Sequence, residues 1–388
     1  MRTVTQQEIL DIIRFEIFGT PMPEDFCVSD EDSLLKLARK HDLSHLVFDA
    51  LVKNGIQCSS ESAMKQYYAS IWRVEQMTHE LQSLTDLFEA EGIDFIPLKG
   101  AVMRPMYPEP WMRTSSDLDI LLRDKDYDRA CDLMIGKLEY AKGHADAVHV
   151  MSLHAAENGV NVEAHRALFA EYHTDRSNTD LLPLIWEHAL PCTGHEHLMQ
   201  MSDPCFYFYH IAHMAKHLKV YGGCPIRSLI DLRILDELPE RNDGQRSELL
   251  QSAGLLTFAR MMSNTAKAWF GGGEVPSEEL EQFILTGHMY GDLKDQVLMS
   301  VDSDGLAKYL LKRMFLPYDV MADTYPVLRK HKWLTPFFHI IRWTNLFRKK
   351  RRDKLRYRAK TLIHASQEEA NHINHIKEIL GINNTEES

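Results

Sequence analysis

No uninterrupted apolar run of about 18 residues occurs anywhere in this sequence, so nothing in it reads as a membrane-crossing helix. The opening stretch MRTVTQQEILDIIRFEIFGT scatters acidic and polar side chains through its apolar pattern, without the basic-then-apolar order of a secretory leader. A cytoplasmic location is the expectation. The six cysteines, at positions 27, 58, 131, 192, 205 and 224, include no Cys-x-x-Cys pair and no zinc-ligand spacing, which excludes a zinc finger and argues against a disulfide framework. Internal repeats and low-complexity stretches are absent too, so solenoid and fibrous architectures are not expected. What is present is ordinary globular composition, 44% hydrophobic and 26% charged over 388 residues, enough for a large core and for two or three domains.

Charge is unevenly spread. The net charge is −12, yet between Arg329 and Lys360 thirteen Lys/Arg face one acid, Asp353, so the rest of the chain carries −24. A basic segment with interleaved aromatics, Trp333 to Trp343 followed by Arg348-Lys349-Lys350-Arg351-Arg352, is thus attached to an acidic body. It suits an anionic surface, a nucleic acid or the chain's own acidic remainder.

Periodicity divides the chain into three regions. Residues 1–91 read as helices, at Gln6 to Phe18, Asp30 to Leu51 and Ser62 to Glu91, with Gly92 as a left-handed stop. Residues 92–180 change character: strands at Ile93 to Leu98, Leu118 to Leu122, His149 to Ala155 and Val160 to Ala167 surround a helix at Asp124 to Leu138, and Glu157-Asn158-Gly159 supplies hairpin-turn chemistry. This predicts an α+β core, a small mixed sheet with helices on one face. Residues 181–388 are mainly helical again, with Ser202-Asp203-Pro204 opening a helix to about Leu218 and another expected from Ile226 to Leu238.

The chemistry-bearing residues sit in the middle region. Asp117 and Asp119 are two apart on a strand, so both side chains point to one face about 6.6 Å apart, while Leu118, Ile120 and Leu122 anchor the opposite face. Asn161, Glu163 and His165 repeat that geometry; if the two strands are neighbours, Glu163 becomes a third carboxylate. Three converging carboxylates need cations, and oxygen ligands favour Mg²⁺ or Mn²⁺. Two such ions about 3.5 to 4 Å apart can hold a nucleoside triphosphate and activate a hydroxyl. An Asp-x-Asp pair alone also fits a solvated strand edge. Lys99-Gly100 follows a strand and opens a helix, a place where free N–H groups favour phosphate, and Arg113 is near enough in sequence to reach a triphosphate tail or to pair with Glu109 or Asp117.

The segments Phe95-Ile96-Pro97-Leu98-Lys99-Gly100, Tyr107-Pro108, Arg113-Thr114-Ser115-Ser116-Asp117-Leu118-Asp119 and Val162-Glu163-Ala164-His165 resemble the uncharacterised nucleotidyltransferase family of the DNA-polymerase-β-like superfamily. The likeness extends through His217, Arg227 and Asp231 to Tyr325-Pro326 and Arg342-Trp343. It implies a nucleotidyltransferase core, metal ligands at Asp117, Asp119 and Glu163, and transfer of a nucleoside monophosphate from a triphosphate to a small-molecule, sugar or protein acceptor. Lys99, Gly100, Arg113 and Ser116 would lie at the nucleotide, and His217, Arg227 and Asp231 would line its pocket or the acceptor's. One departure stands out: many superfamily members open the helix after the first strand with Gly-Ser, and Lys99-Gly100 lacks that hydroxyl.

Two other readings remain open, a nucleotide-binding or interaction module without turnover, and a nucleic-acid-binding protein using the basic segment. His210, His213 and His217 share a helix face, but without a third ligand of good geometry they read as a packed face rather than a zinc site. Arg227 and Asp231, four apart, could equally clasp each other.

Overall fold

In a computed structural model the described residues are 2–143, 150–168, 181–287, 293–299, 315–316, 318, 321–322, 325, 327–346 and 367–382. The expected segments His149, 169–180, Pro326 and the basic run Arg348 to Arg352 lie outside them.

Four helices come first: α1 (Val4–Phe18), α2 (Glu31–Lys40), α3 (Ser44–Lys53) and α4 (Glu61–Glu91). Thr3 and Gln6 form a capping box on α1, Asp30 caps α2 through the N–H groups of Asp32 and Ser33, and Ser60 caps α4. Gly92, at φ 66°, ends α4 as its sequence position predicts. The single helix expected from Asp30 to Leu51 is two helices. Asp42 adopts φ 58° between them, a left-handed conformation that breaks the helix while both apolar stripes stay buried.

The core sheet has strand order β1-β2-β5-β4-β3, with β1 (Phe95–Pro97), β2 (Asp117–Leu122), β3 (Ala141–Lys142), β4 (Val150–His154) and β5 (Asn161–His165). β2 and β5 run parallel and the other neighbours antiparallel, a mixed sheet. The β4–β5 hairpin turns at Gly159, φ 67°. β3 and the hairpin of β6 (Leu190–Pro191) with β7 (Met199–Gln200) are too short to alternate visibly in sequence.

With α5 (Gly100–Met103) after β1 and α7 (Leu181–Glu187) after β5 among the connections, the sheet's two faces meet different partners. Leu118, Ile120, Leu122, Val162 and Ala164 pack with Met77, Leu84 and Phe88 of α4 and with Tyr127, Ala130 and Met134 of α6 (Asp124–Lys137). Leu121, Ile96 and Leu98 belong instead to a larger core shared by α1 to α3 and by helices from α8 onward. There α8 (Asp203–Tyr221) ends at Gly222, φ 69°, and α9 (Ile226–Asp236) follows. The expectation of helices on one face therefore holds for α4 and α6, and the other face is covered in addition by helices distant in sequence. A site on that face is roofed by the helical remainder.

Candidate active site

Parallel pairing of β2 with β5 places Asp117 opposite Asn161 and Asp119 opposite Glu163. The strand neighbourhood on which the third carboxylate depended is therefore present. Both acidic strands turn their polar positions away from the α4–α6 core, because the alternate positions are the leucine, isoleucine, valine and alanine that fill it.

Asp119 is buried and is held by two donors on one oxygen. Lys99 Nζ donates to Oδ1 at 2.8 Å, and His165 Nε2 lies 2.8 Å from the same atom. Burial alone would raise its pKa, but the Lys99 charge and the two hydrogen bonds hold it well below the usual carboxylate range. Lys99 is correspondingly raised, the Asp119 charge outweighing desolvation. His165 is lowered by burial, so it is neutral at pH 7; facing a carboxylate, its Nε2 must carry the proton and donate. Glu163 is pushed up to about 7 by burial, then by the Asp119 and Asp117 charges. Asp117 sits at the more open end, taking Asn161 Nδ2 at 2.8 Å on Oδ1 and Ser116 Oγ at 2.5 Å on Oδ2.

Among the described residues, Asp119, Glu163 and His165 form the one group able to hold a metal, each offering a ligand atom within 4.8 Å of the others'. The sequence placed His165 on the right face without giving it a ligand's role. Asp117, expected as a ligand, stands beside this group on the same strand. On α8, His213 and His217 meet at a tilt with 4.4 Å between ring centres, and His210 lies 3.2 Å from the Ser228 carbonyl. Burial lowers all three, His217 to about 4, so they line the cavity as neutral rings.

A cavity of about 130 Å³ lies between the strand mouth and α8 and α9, and it is lined by Lys99, Gly100, Arg113, Ser116, Asp117, Asp119, His217, Arg227 and Asp231. Of the residues singled out from sequence, Glu163 is the exception, facing Asp119 across the strand pair. Lys99 reaches its position at a price in backbone energy, φ 46° and ψ −113°, a conformation that side-chain-bearing residues rarely adopt. Gly100 is required by close approach: a Cβ there would lie 3.0 Å from Ser115 Oγ and 3.3 Å from Arg104 Nη2.

The arginines pair differently from the sequence expectation. Arg113 forms a bidentate clasp with Asp231, Nε to Oδ1 and Nη2 to Oδ2 both at 2.8 Å, and Tyr107 Oη donates to the same carboxylate at 2.6 Å. Neither Glu109 nor Asp117 takes it. Arg227 turns from Asp231 to Asp42 Oδ2 at 3.2 Å and to the Thr114 carbonyl at 2.9 Å. Asp42, which also accepts from Thr114 Oγ1 at 2.6 Å, was not anticipated, because the apolar periodicity runs on through it. Arg104 was missed as well. It is buried, donates to Ser115 Oγ, and is pushed down to about 10 by burial and by Arg113, Arg227 and Arg73. Arg113 and Arg227 thus line the cavity, with Asp231 clasped by Arg113 between them, and Arg104 and Arg73 stand close enough behind to feel their charge.

A mixed sheet carrying acids on adjacent parallel strands, beside a cationic wall, defines a nucleotidyltransferase-like site. Residues 28–271 match the profile of an uncharacterised nucleotidyltransferase family, and the chain belongs to that family, within the polymerase-β-like superfamily. Comparison with curated proteins and with solved structures gave no match. Among the described residues, no helix is long and apolar enough to cross a membrane.

Proposed function

We propose that this chain transfers a nucleoside monophosphate from a nucleoside triphosphate to a hydroxyl of a small-molecule, sugar or protein acceptor, releasing pyrophosphate, with Mg²⁺ or Mn²⁺ at Asp117, Asp119 and Glu163. The observation that carries it is the register of Asp119 with Glu163, which brings a buried and a half-buried carboxylate together with His165 beside the arginine-lined cavity that Asp119 borders.

The donor set fits a divalent cation. Burial and then the Asp119 and Asp117 charges drive Glu163 up to about 7, and a cation at the same point would offset the repulsion between the carboxylates. When bound, the ion supplies charge neutralisation for the phosphates and polarises the attacking hydroxyl. The protein's own groups do the rest. His165, donating to Asp119, fixes that carboxylate's orientation. Lys99 supplies the countercharge at Asp119 and lines the cavity, so it can turn to a phosphate oxygen. Glu163 receives the acceptor's proton as its oxygen attacks the α-phosphorus and the bond to pyrophosphate breaks.

The hydroxyl absent from Lys99-Gly100 has a spatial replacement. Ser115 Oγ lies 3.0 Å from the point where a side chain at position 100 would begin, and Ser115 lines the cavity. Arg104 is depressed first by burial and then by the charges of Arg113, Arg227 and Arg73, and a polyanion would offset that second contribution. A volume of about 130 Å³ suits the phosphate tail, with the nucleoside extending to the open side.

A second reading, nucleotide binding without turnover, is favoured by one contact, Lys99 on Asp119, which competes with a metal for the same oxygen. Calorimetry with ATP, GTP, CTP and UTP, with and without Mg²⁺, on wild type and on Asp117→Ala/Asp119→Ala tests both. Metal-dependent binding lost in a double variant that still melts cooperatively is the expected result, and absence of binding by every triphosphate overturns both readings. Pyrophosphate release across acceptor classes then separates enzyme from binding module.

A further inference from the structure

The helix Thr335–Leu346 keeps a large apolar stripe in solvent. Trp333 just before it is 73% exposed, and Phe337, Ile340 and Ile341 are 65%, 53% and 44% exposed. Their spacing of three and four residues puts them along one side. The adjoining sides are engaged: Phe338 and, just before the helix, Leu334 pack on a small core of Met321, Ala322 and Leu328, and the Trp343 ring meets Phe315 edge-on at 5.4 Å. The helix is therefore docked by one face while the more apolar side chains of the other remain outside.

We propose that this face lies on an anionic lipid bilayer, with Trp333, Phe337, Ile340 and Ile341 entering the boundary between headgroups and acyl chains and the neighbouring basic side chains meeting lipid phosphates. The helix has 12 residues, against about 20 needed to span, so it rests in the plane of the interface. Charge complementarity selects this occupant. The segment 329–360 carries thirteen Lys/Arg and one acid, and Arg329, Lys330 and Lys332 are exposed where the helix begins.

Three other occupants fit less well. The chain's own acidic body leaves the stripe in solvent when folded. A second copy would bring two segments of charge +12 together. A nucleic acid accounts for the charge and for Trp333 and Phe337, but Ile340 and Ile341 have no ring to stack on bases. The inference is independent of turnover at the active site.

The test is vesicle flotation of the full chain, with phosphatidylcholine alone and with phosphatidylcholine plus phosphatidylglycerol, at low and high salt. We expect partition at least ~10-fold stronger on the anionic vesicles, weakening with salt. Phe337→Ser/Ile340→Ser/Ile341→Ser should lose ~10-fold or more of that partition with an unchanged melting temperature, because these side chains already sit in water. Failure of the wild type to float overturns the proposal, as does a triple variant that floats equally well, which would leave only diffuse charge. So does tight oligonucleotide binding, or dimerisation abolished by the triple variant, in a protein that ignores vesicles.

Discussion

The molecule contains the same combination twice, two carboxylates and a lysine, with different surroundings. In the helical cap, Glu16 Oε2 and Asp49 Oδ2 meet Lys53 Nζ at 2.7 and 2.6 Å; at the sheet, Asp119 meets Lys99 Nζ at 2.8 Å with Glu163 alongside. Burial is the largest cause of a glutamate pKa near 7 in both places, Glu16 in one and Glu163 in the other. A shifted carboxylate therefore does not by itself identify a site. The sheet cluster adds His165 converging on its two carboxylates, a cavity, and arginines that line it; the helical cluster has no grouping of potential metal ligands among the described residues. Convergence on accessible space separates chemistry from packing.

The largest effect should fall on that distinction. Asp119→Asn keeps the shape of the side chain and removes its charge, so metal-dependent pyrophosphate release is expected to fall by about 10³-fold or more. Asp49→Asn makes the same change in the other cluster and should leave the rate unchanged. Loss of activity in Asp49→Asn, with an unaltered melting temperature, would break the comparison.

Next in size is the Arg113–Asp231 clasp, which borders the cavity yet is closed on itself by bidentate hydrogen bonds and by Tyr107. Asp231→Ala leaves a buried guanidinium uncompensated, and urea unfolding should show a loss of about 3–5 kcal/mol. If stability is unchanged while triphosphate KM rises, Arg113 is a nucleotide ligand and the clasp is not structural.

How far the sequence disclosed these features follows the range of the interactions involved. Asp117, Asp119, Glu163 and His165 share faces because strand side chains alternate, and alternation is written locally. That β2 and β5 are parallel neighbours is not local, since α6, β3 and β4 intervene. Arg104 and Asp42 were invisible for the same reason: each acquires its role through contacts with the Thr114-Ser115 segment, distant in sequence from Asp42 and separated from Arg104 by a turn. For Arg113 the ion-pair alternative named Glu109 or Asp117, and neither is its partner, because Asp231 arrives from α9. The helix break at Asp42 was hidden because apolar periodicity continues through it. The basic run after Trp343 was plain in composition, and only the structure shows Phe337, Ile340 and Ile341 left in solvent beside it.

The helical cluster offers a smaller test through pH. Folding raises the Glu16 pKa from 4.5 to about 7, so across that interval the folded state retains a proton that the unfolded chain has released. This stabilisation is complete below pH 4.5 and is lost as the pH rises through 7. Glu16→Gln removes the titration. The stability gap between variant and wild type should therefore move in the variant's favour by roughly 1–3 kcal/mol from pH 5 to pH 8. A gap that stays constant in denaturant titrations at both pH values would mean that Glu16 ionises freely, and the two clusters would no longer be alike.

The smallest expected effect concerns what the sheet cluster has and the helical one lacks, a hydroxyl placed for a phosphate. Ser115 Oγ accepts from Arg104 and donates to the Asp117 carbonyl at 3.2 Å, which holds it at the cavity wall beside Gly100. Ser115→Ala should raise the KM for the triphosphate by roughly 3- to 10-fold, about the worth of one hydrogen bond, and leave kcat within about twofold. The kinetic split carries the argument. Removing an acceptor from buried Arg104 also lowers stability, so a fall in melting temperature alone is what a purely structural serine would give. An unchanged KM beside such a fall would assign Ser115 to packing, and the missing hydroxyl at position 100 would then have no replacement.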